Sequence, residues 1–150
     1  MYPDPRVVAF IDEHFVPVRV HVKENADEFQ RLGSRFGAQW TPTTLIVDAE
    51  GNEQHRIEGF LPAEDFLSQL KLGVAKAAFA RNDYTNAARL FGQVVDEHPG
   101  TEAAPEGLYW AGVSKYRATN DPSALRETAR AFRERHQESS WAKKASVWNA

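Results

Sequence analysis

The chain has 150 residues, 42% hydrophobic and 26% charged, and a net charge of −3. These are the proportions of a soluble globule rather than a disordered or membrane protein, and the balance of charge gives no footing for nucleic acid or an anionic membrane surface. The absence of cysteine excludes disulfides, thiolate metal ligands and thiol nucleophiles.

The N-terminus, Met1-Tyr2-Pro3-Asp4-Pro5, has neither a basic nor an apolar leader region, and no apolar run approaches the ~18 residues of a membrane span. The expectation for the chain as written is a soluble, cytoplasmic protein. Pro3 and Pro5 precede Val7, Val8, Phe10 and Ile11, spaced for a short amphipathic helix. From Phe15 to Val22 the pattern alternates, with Val16, Val18, Val20 and Val22 on one face and Phe15, Arg19 and His21 on the other. That predicts a half-buried strand, with Pro17 near its start where a missing donor is tolerable.

Asn25-Ala26-Asp27-Glu28 reads as a helix start, Phe29, Leu32 and Phe36 as its apolar stripe and Gly37 as its end. After Trp40-Thr41-Pro42, Thr43 to Val47 predicts a second strand, Gly51-Asn52 a hairpin turn and Glu53 to Ile57 a third strand. Gly59-Phe60-Leu61-Pro62 breaks the pattern, and a helix begins at Pro62-Ala63-Glu64-Asp65 with Phe66, Leu67 and Leu70 inward.

From about Leu72 the strand signals stop and alanine-rich helical patterning takes over, which divides the chain into residues 1–71 and 72–150. One helix pair is expected over Gly73–His98 with a break at Arg81-Asn82-Asp83, and a second over Glu106–His136 with a break at Asn120-Asp121-Pro122. A last amphipathic segment runs from Ser140 to Trp148, with Trp141 and Trp148 on one face. The pairs read as two copies of one unit. Asp83 and Asp121 are 38 residues apart, against about 34 in tetratricopeptide repeats, and Gly100 to Pro105 holds the extra length. Leu108-Tyr109-Trp110-Ala111-Gly112 with Tyr116 resembles the first helix of that repeat, where a small residue lets the paired helix approach. The second half therefore resembles tetratricopeptide repeats.

The first half resembles the thioredoxin family, in its thioredoxin-related branch. The matching pieces are Asp4-Pro5-Arg6-Val7 with Phe10, Phe15-Val16-Pro17-Val18-Arg19-Val20, Phe36-Gly37, Trp40-Thr41-Pro42-Thr43, Asp48-Ala49-Glu50-Gly51-Asn52 and Gly59-Phe60. The resemblance implies an α/β layer followed by α, with a cis proline at Pro42 and a backbone at Thr41 that faces an extended bound peptide. It also implies a strand and a Trp-Cys-x-x-Cys motif ahead of Tyr2, neither of which is in this sequence.

In the family that first strand is central. Removing ~5 paired residues would orphan backbone groups at ~1–3 kcal/mol each, comparable with the ~5–15 kcal/mol stability of a domain. Either the strands at Val16–Val22 and Thr43–Val47 then pair directly, or another chain covers the gap, and self-association through this edge is expected.

The peptide-binding candidates are accordingly Trp40, Thr41, Pro42 and Thr43, and the helical-groove candidates Tyr84, Tyr109, Trp110 and Tyr116. The alternative for these aromatics is an interhelix core. The five histidines form no ligand motif, and neither a paired-carboxylate motif nor a phosphate loop is present, so no catalytic residue, metal or cofactor is expected. Two functional readings stand side by side. One is a non-catalytic protein-interaction module that binds a polypeptide or itself. The other is a fragment of a thiol-disulfide oxidoreductase whose cysteines lie upstream of Met1.

Overall fold

A computed structural model describes residues 4–149. The chain divides into two compact units, one up to Ala63 and one from Glu64 onward. The first holds helices α1 (Pro5–His14) and α2 (Ala26–Phe36) and strands β1 (Thr43–Val47) and β2 (Glu53–Glu58). Helix α3 (Ala63–Ala80) opens the second, and α4 (Tyr84–Glu97), α5 (Ala103–Thr119), α6 (Ser123–Glu134), α7 (Ser140–Ala145) and a 3-10 turn (Ser146–Asn149) complete it. The chain is thus a small sheet with helices followed by an all-helical region. Pro3 lies outside the described residues.

Helix α1 starts where Asp4 accepts a hydrogen bond from the Arg6 amide at 2.8 Å and Pro5 takes the first helical position. Helix α2 ends at Gly37, whose φ of 63° is the left-handed cap glycine favours. Its Asn25 does not cap it; the Asn25 Oδ1 instead accepts from the His21 amide at 3.1 Å.

The hairpin is antiparallel, with Thr43 opposite Glu58, Thr44 opposite Ile57 and Ile46 opposite His55. The register then shifts so that Val47 faces Glu53, leaving Gln54 as an extra residue on β2. The reversal is built on Asp48 to Gly51 rather than on Gly51-Asn52: the Gly51 amide donates to the Asp48 carbonyl at 3.0 Å. Gly51 has a φ of 85° there, which requires glycine.

The strand expected over Phe15 to Val22 is absent. This segment has no regular structure, and the sheet contains β1 and β2 alone. Val16 is 93% and Val18 81% exposed. An alternating valine pattern describes fitness for a pleated, half-buried surface, and it produces a strand only where a neighbour supplies the ladder. Direct pairing of this segment with β1 does not occur.

Helix α3 is continuous through Gly73, so the separate helix expected to start there is the second half of α3. The boundary expected at residues 71 and 72 falls inside it. The breaks at residues 81–83 and 120–122 are present and built alike. Asn82 (φ 62°) and Asn120 (φ 58°) take the left-handed conformation that ends a helix. Asp83 then accepts from the Asn86 amide at 3.4 Å and Asp121 from the Ser123 amide at 2.9 Å, starting the next helix.

The core of this unit joins Leu72, Ala75 and Ala78 of α3 to Ala87, Phe91 and Val94 of α4 and Ala103 of α5. A second cluster joins Val95, Leu108, Phe132 and Ala145. Two glycines of α5 set the helix spacing. A Cβ on Gly107 would lie 3.1 Å from the Phe91 carbonyl oxygen, and one on Gly112 would lie 2.8 Å from Thr128 Cβ.

Gly112→Ala is accordingly expected to destabilise the protein by ~1–3 kcal/mol through overpacking. Gly92→Ala, in α4 where an added Cβ meets nothing within 4 Å, is expected to be neutral or stabilising by up to ~1 kcal/mol. Urea unfolding of the two variants beside the parent checks both signs.

Candidate functional site

Trp40 to Thr43 form the entry to β1. The Thr41–Pro42 peptide bond is cis. The Thr43 hydroxyl donates to the Trp40 carbonyl at 2.5 Å, which closes the turn. Pro42 has no amide, but its carbonyl accepts from the Gly59 amide at 2.8 Å, extending the hairpin ladder one step past Thr43 and Glu58. A proline is tolerable at the first position before a strand for this reason. Gly59 has a φ of 83°.

Two large apolar side chains flank this junction in the sequence of the two strands. Trp40 is 69% and Phe60 75% exposed. In the sequence Phe60 belongs to the pattern break after the third strand and to the Gly59-Phe60 piece of the family resemblance; what makes it notable is its exposure, which sequence does not show.

Beside the entry runs an open cleft of about 520 Å³ along α2, lined by Val22, Ala26, Phe29, Gly33, Ala38 and Gln39 among others. Helix α2 carries the expected stripe of Phe29, Leu32 and Phe36, yet none of its residues is fully buried. Polar contacts anchor its C-terminal end. The Arg56 guanidinium donates to the Phe36 carbonyl through Nη2 and to the Gly37 carbonyl through Nη1 at 3.4 Å. The same group pairs with Glu53 at 2.6 Å and Glu58 at 3.3 Å, and these hydrogen bonds, Glu53 first, raise the Arg56 pKa. Arg35 reaches from α2 to the Gly51 carbonyl at 3.5 Å.

The hairpin turn has its own polar centre. Asp48 accepts from the Asn52 amide at 2.8 Å, the Glu50 amide at 3.0 Å, the Asn52 side chain at 3.1 Å and the Gln54 side chain at 3.0 Å. The Asn52 amide foremost holds the Asp48 carboxyl below its ordinary 3.8. The bulged position of Gln54 brings its amide within reach.

In the second unit, Tyr84, Phe79, Trp110 and Tyr109 form one edge-to-face run with centroid separations of 5.2, 5.3 and 5.3 Å. Tyr109 also meets Trp141 at 5.2 Å and Trp148 at 4.9 Å. Arg117 lies 4.7 Å over the Tyr84 ring and donates to its hydroxyl at 2.7 Å. Tyr116 stays outside this run. The aromatics are half-buried against one another, so three of the four helical candidates are brought together and the fourth is not.

His98, with no motif around it, is buried at 4% exposure with its Nδ1 2.5 Å from Glu64 Oε1. This contact ties the end of α4 to the start of α3, and the sequence separation of 34 residues concealed it. Among the described residues, no group of three His, Asp or Glu could hold a metal ion, and no helix is long and apolar enough to cross a membrane.

Two outcomes are expected of this geometry. Arg56→Ala should detach the end of α2 from the hairpin, read as faster amide exchange over Phe29 to Gly37 with the β1–β2 ladder retained. The depressed Asp48 pKa stabilises the turn fully above pH 3.8, and that contribution is lost as pH falls through the lower folded value. NMR titration should place the Asp48 carboxyl midpoint below 3.8, and Gln54→Ala should move it upward.

No curated protein and no solved structure matches the chain significantly. Residues 1–73 match the family model of a thioredoxin-like domain, which supports thioredoxin-like ancestry for the first half of the chain.

Proposed function

We propose that the chain is a non-catalytic polypeptide-binding module built on a thioredoxin-like fold. The observation that carries this reading is the pair of exposed aromatics, Trp40 and Phe60, on either side of the hydrogen-bonded Pro42 and Gly59 junction. Exposed aromatics on a fixed turn are the usual anchors of a polypeptide interface. The adjoining cleft along α2 has room for apolar side chains of an extended ligand. The sequence has no cysteine to add thiol chemistry at this position.

The second unit, read as tetratricopeptide-like, is a packed helical region rather than a second ligand groove. The likeness of its two Asn-Asp connections favours a repeated unit, and the mutual packing of its aromatics favours a core over an open groove.

The test is a titration of the whole chain with a library of extended apolar peptides, read by the indole and amide signals of Trp40 to Thr43. Binding peptides should shift those signals, and Trp40→Ala should weaken binding by at least about tenfold, as a buried aromatic anchor does. Peptides that shift only the signals of Tyr84, Tyr109 and Trp110 would sink the reading.

The family match is equally compatible with a second reading, in which this chain is a fragment of a thiol-disulfide oxidoreductase whose cysteines are encoded upstream of Met1. An in-frame Cys-x-x-Cys closely upstream in the genomic sequence decides for it.

A further inference from the structure

We propose that His21 is a proton-operated clasp on the turn that leads into α2, closed while its imidazole is neutral and opened when the ring takes up a proton. The turn covers Val22 to Asn25. The His21 Nδ1 accepts from the Lys23 amide at 3.2 Å and from the Glu24 amide at 3.3 Å. In return the His21 amide donates to Asn25 Oδ1 at 3.1 Å, and the Asn25 amide donates to the His21 carbonyl at 2.8 Å. His21 does for this turn what an N-cap does for a helix, with a ring nitrogen in place of the usual side-chain oxygen.

Two amide N–H groups aimed at one nitrogen fix the state of the ring. Nδ1 must offer its lone pair, so the imidazole is neutral and its proton is on Nε2. A second proton goes to Nδ1 and turns the acceptor into a donor. Both amides lose their partner, and a positive charge is set against the first N–H groups of a helical turn, the end that favours negative charge. Two other histidines are set the opposite way. His14 Nδ1 faces the Phe10 carbonyl at 3.1 Å and His98 Nδ1 the Glu64 carboxylate at 2.5 Å, partners that accept from a protonated nitrogen. Among the described residues, no hydrogen bond, ion pair or ring contact joins His21 to α1, α2 or the hairpin. The charged residues beside it are Arg19, Lys23 and Glu24 of its own segment, and none of their side chains is bonded to the ring.

The turn forms part of the wall of the cleft along α2. Val22 lies in it and Ala26 follows it, and both line the cleft. The Asn25 carbonyl accepts from the amide of Phe29, a third lining residue, at 2.8 Å. Imidazoles change charge between about pH 5 and pH 8, so mild acid loosens this wall. Control of a bound polypeptide in this way rests on the reading proposed above; the clasp itself does not, and it is tested with no ligand present.

Ring 15N–1H correlation spectra of the full chain at about pH 8 should show the His21 proton on Nε2 and a bare Nδ1. The helical 13Cα shifts of Val22 to Asn25 should fall by at least about half on going to pH 5, since a short turn loses two of its hydrogen bonds. The methyl signals of Val22 and Ala26 should move with them, while the amides of Thr44 and Ile57 in the hairpin stay in place. His21→Asn supplies a capping oxygen that does not titrate and should keep the turn at both pH values; His21→Ala should leave it open at both. A His21 proton on Nδ1 at the higher pH would overturn the proposal, as would a turn unchanged by acid. So would a His21→Asn variant that opens in acid as the parent does, or a hairpin lost together with the turn, which would be unfolding of the unit rather than release of a clasp.

Discussion

The Arg56 guanidinium holds the first unit's parts in register with one another. Among the described residues of that unit, only Val7, Ile46 and Ile57 are buried apolar side chains, and α2 contributes none of them. What fixes α2 is instead a planar fork of donors that spans its last carbonyls and two carboxylates of β2. Arginine suits this position because its donors diverge in a fixed plane and stay charged, so one side chain satisfies orphan helix-end carbonyls and neutralises Glu53 and Glu58 together. The cleft along α2 and the approach to Trp40 inherit their geometry from that contact, since Gly37, Ala38 and Gln39 lead directly from it into the turn.

The second unit is organised by the opposite means. Its helices approach closely where side chains are smallest, at Gly107 against the Phe91 carbonyl and at Gly112 against Thr128. Ion pairs are peripheral additions here, with Lys71 to Glu97 at 2.7 Å and Lys76 to Glu106 at 2.6 Å. Lys71, Lys76 and Glu106 are partly buried and Glu97 is exposed, so these pairs add to the close packing rather than replace it. A polar-tethered unit and a close-packed unit in one chain differ in the kind of perturbation each tolerates: salt and pH act on the first, and side-chain volume on the second.

What could be read from sequence follows the range of the interactions. The helices and both breaks of the second half were legible because their signals are local: Asn-Asp pairs at helix ends, apolar spacing, and Pro105 in the first turn of α5. The β1–β2 hairpin was legible for the same reason. Phe15 to Val22 misled, since alternation cannot report whether a neighbour exists to complete the ladder. Gly73 misled in the other direction, because a helix whose Leu72, Ala75 and Ala78 are buried in the core absorbs a residue of low propensity. At the candidate site, Trp40 to Thr43 stood out through proline and β-branched context. The Arg56 tether and the contact of His98 with Glu64 were invisible because their partners are distant in sequence, 20 residues from Arg56 to Phe36 in the first case.

The placement of tryptophan has an optical consequence. Trp110, Trp141 and Trp148 all belong to the aromatic assembly around Tyr109, with Trp110 and Trp141 6.3 Å apart and Lys144 3.9 Å over the Trp141 ring. At such separations excitation migrates among the rings and the emission belongs to the cluster rather than to any one indole. Trp40 is the remaining tryptophan of the four, solvent-exposed and in the other unit. The native fluorescence of the chain is therefore two signals, a red-shifted, readily quenched component from one half and a shielded, energy-sharing component from the other, and the halves can be followed separately without any label.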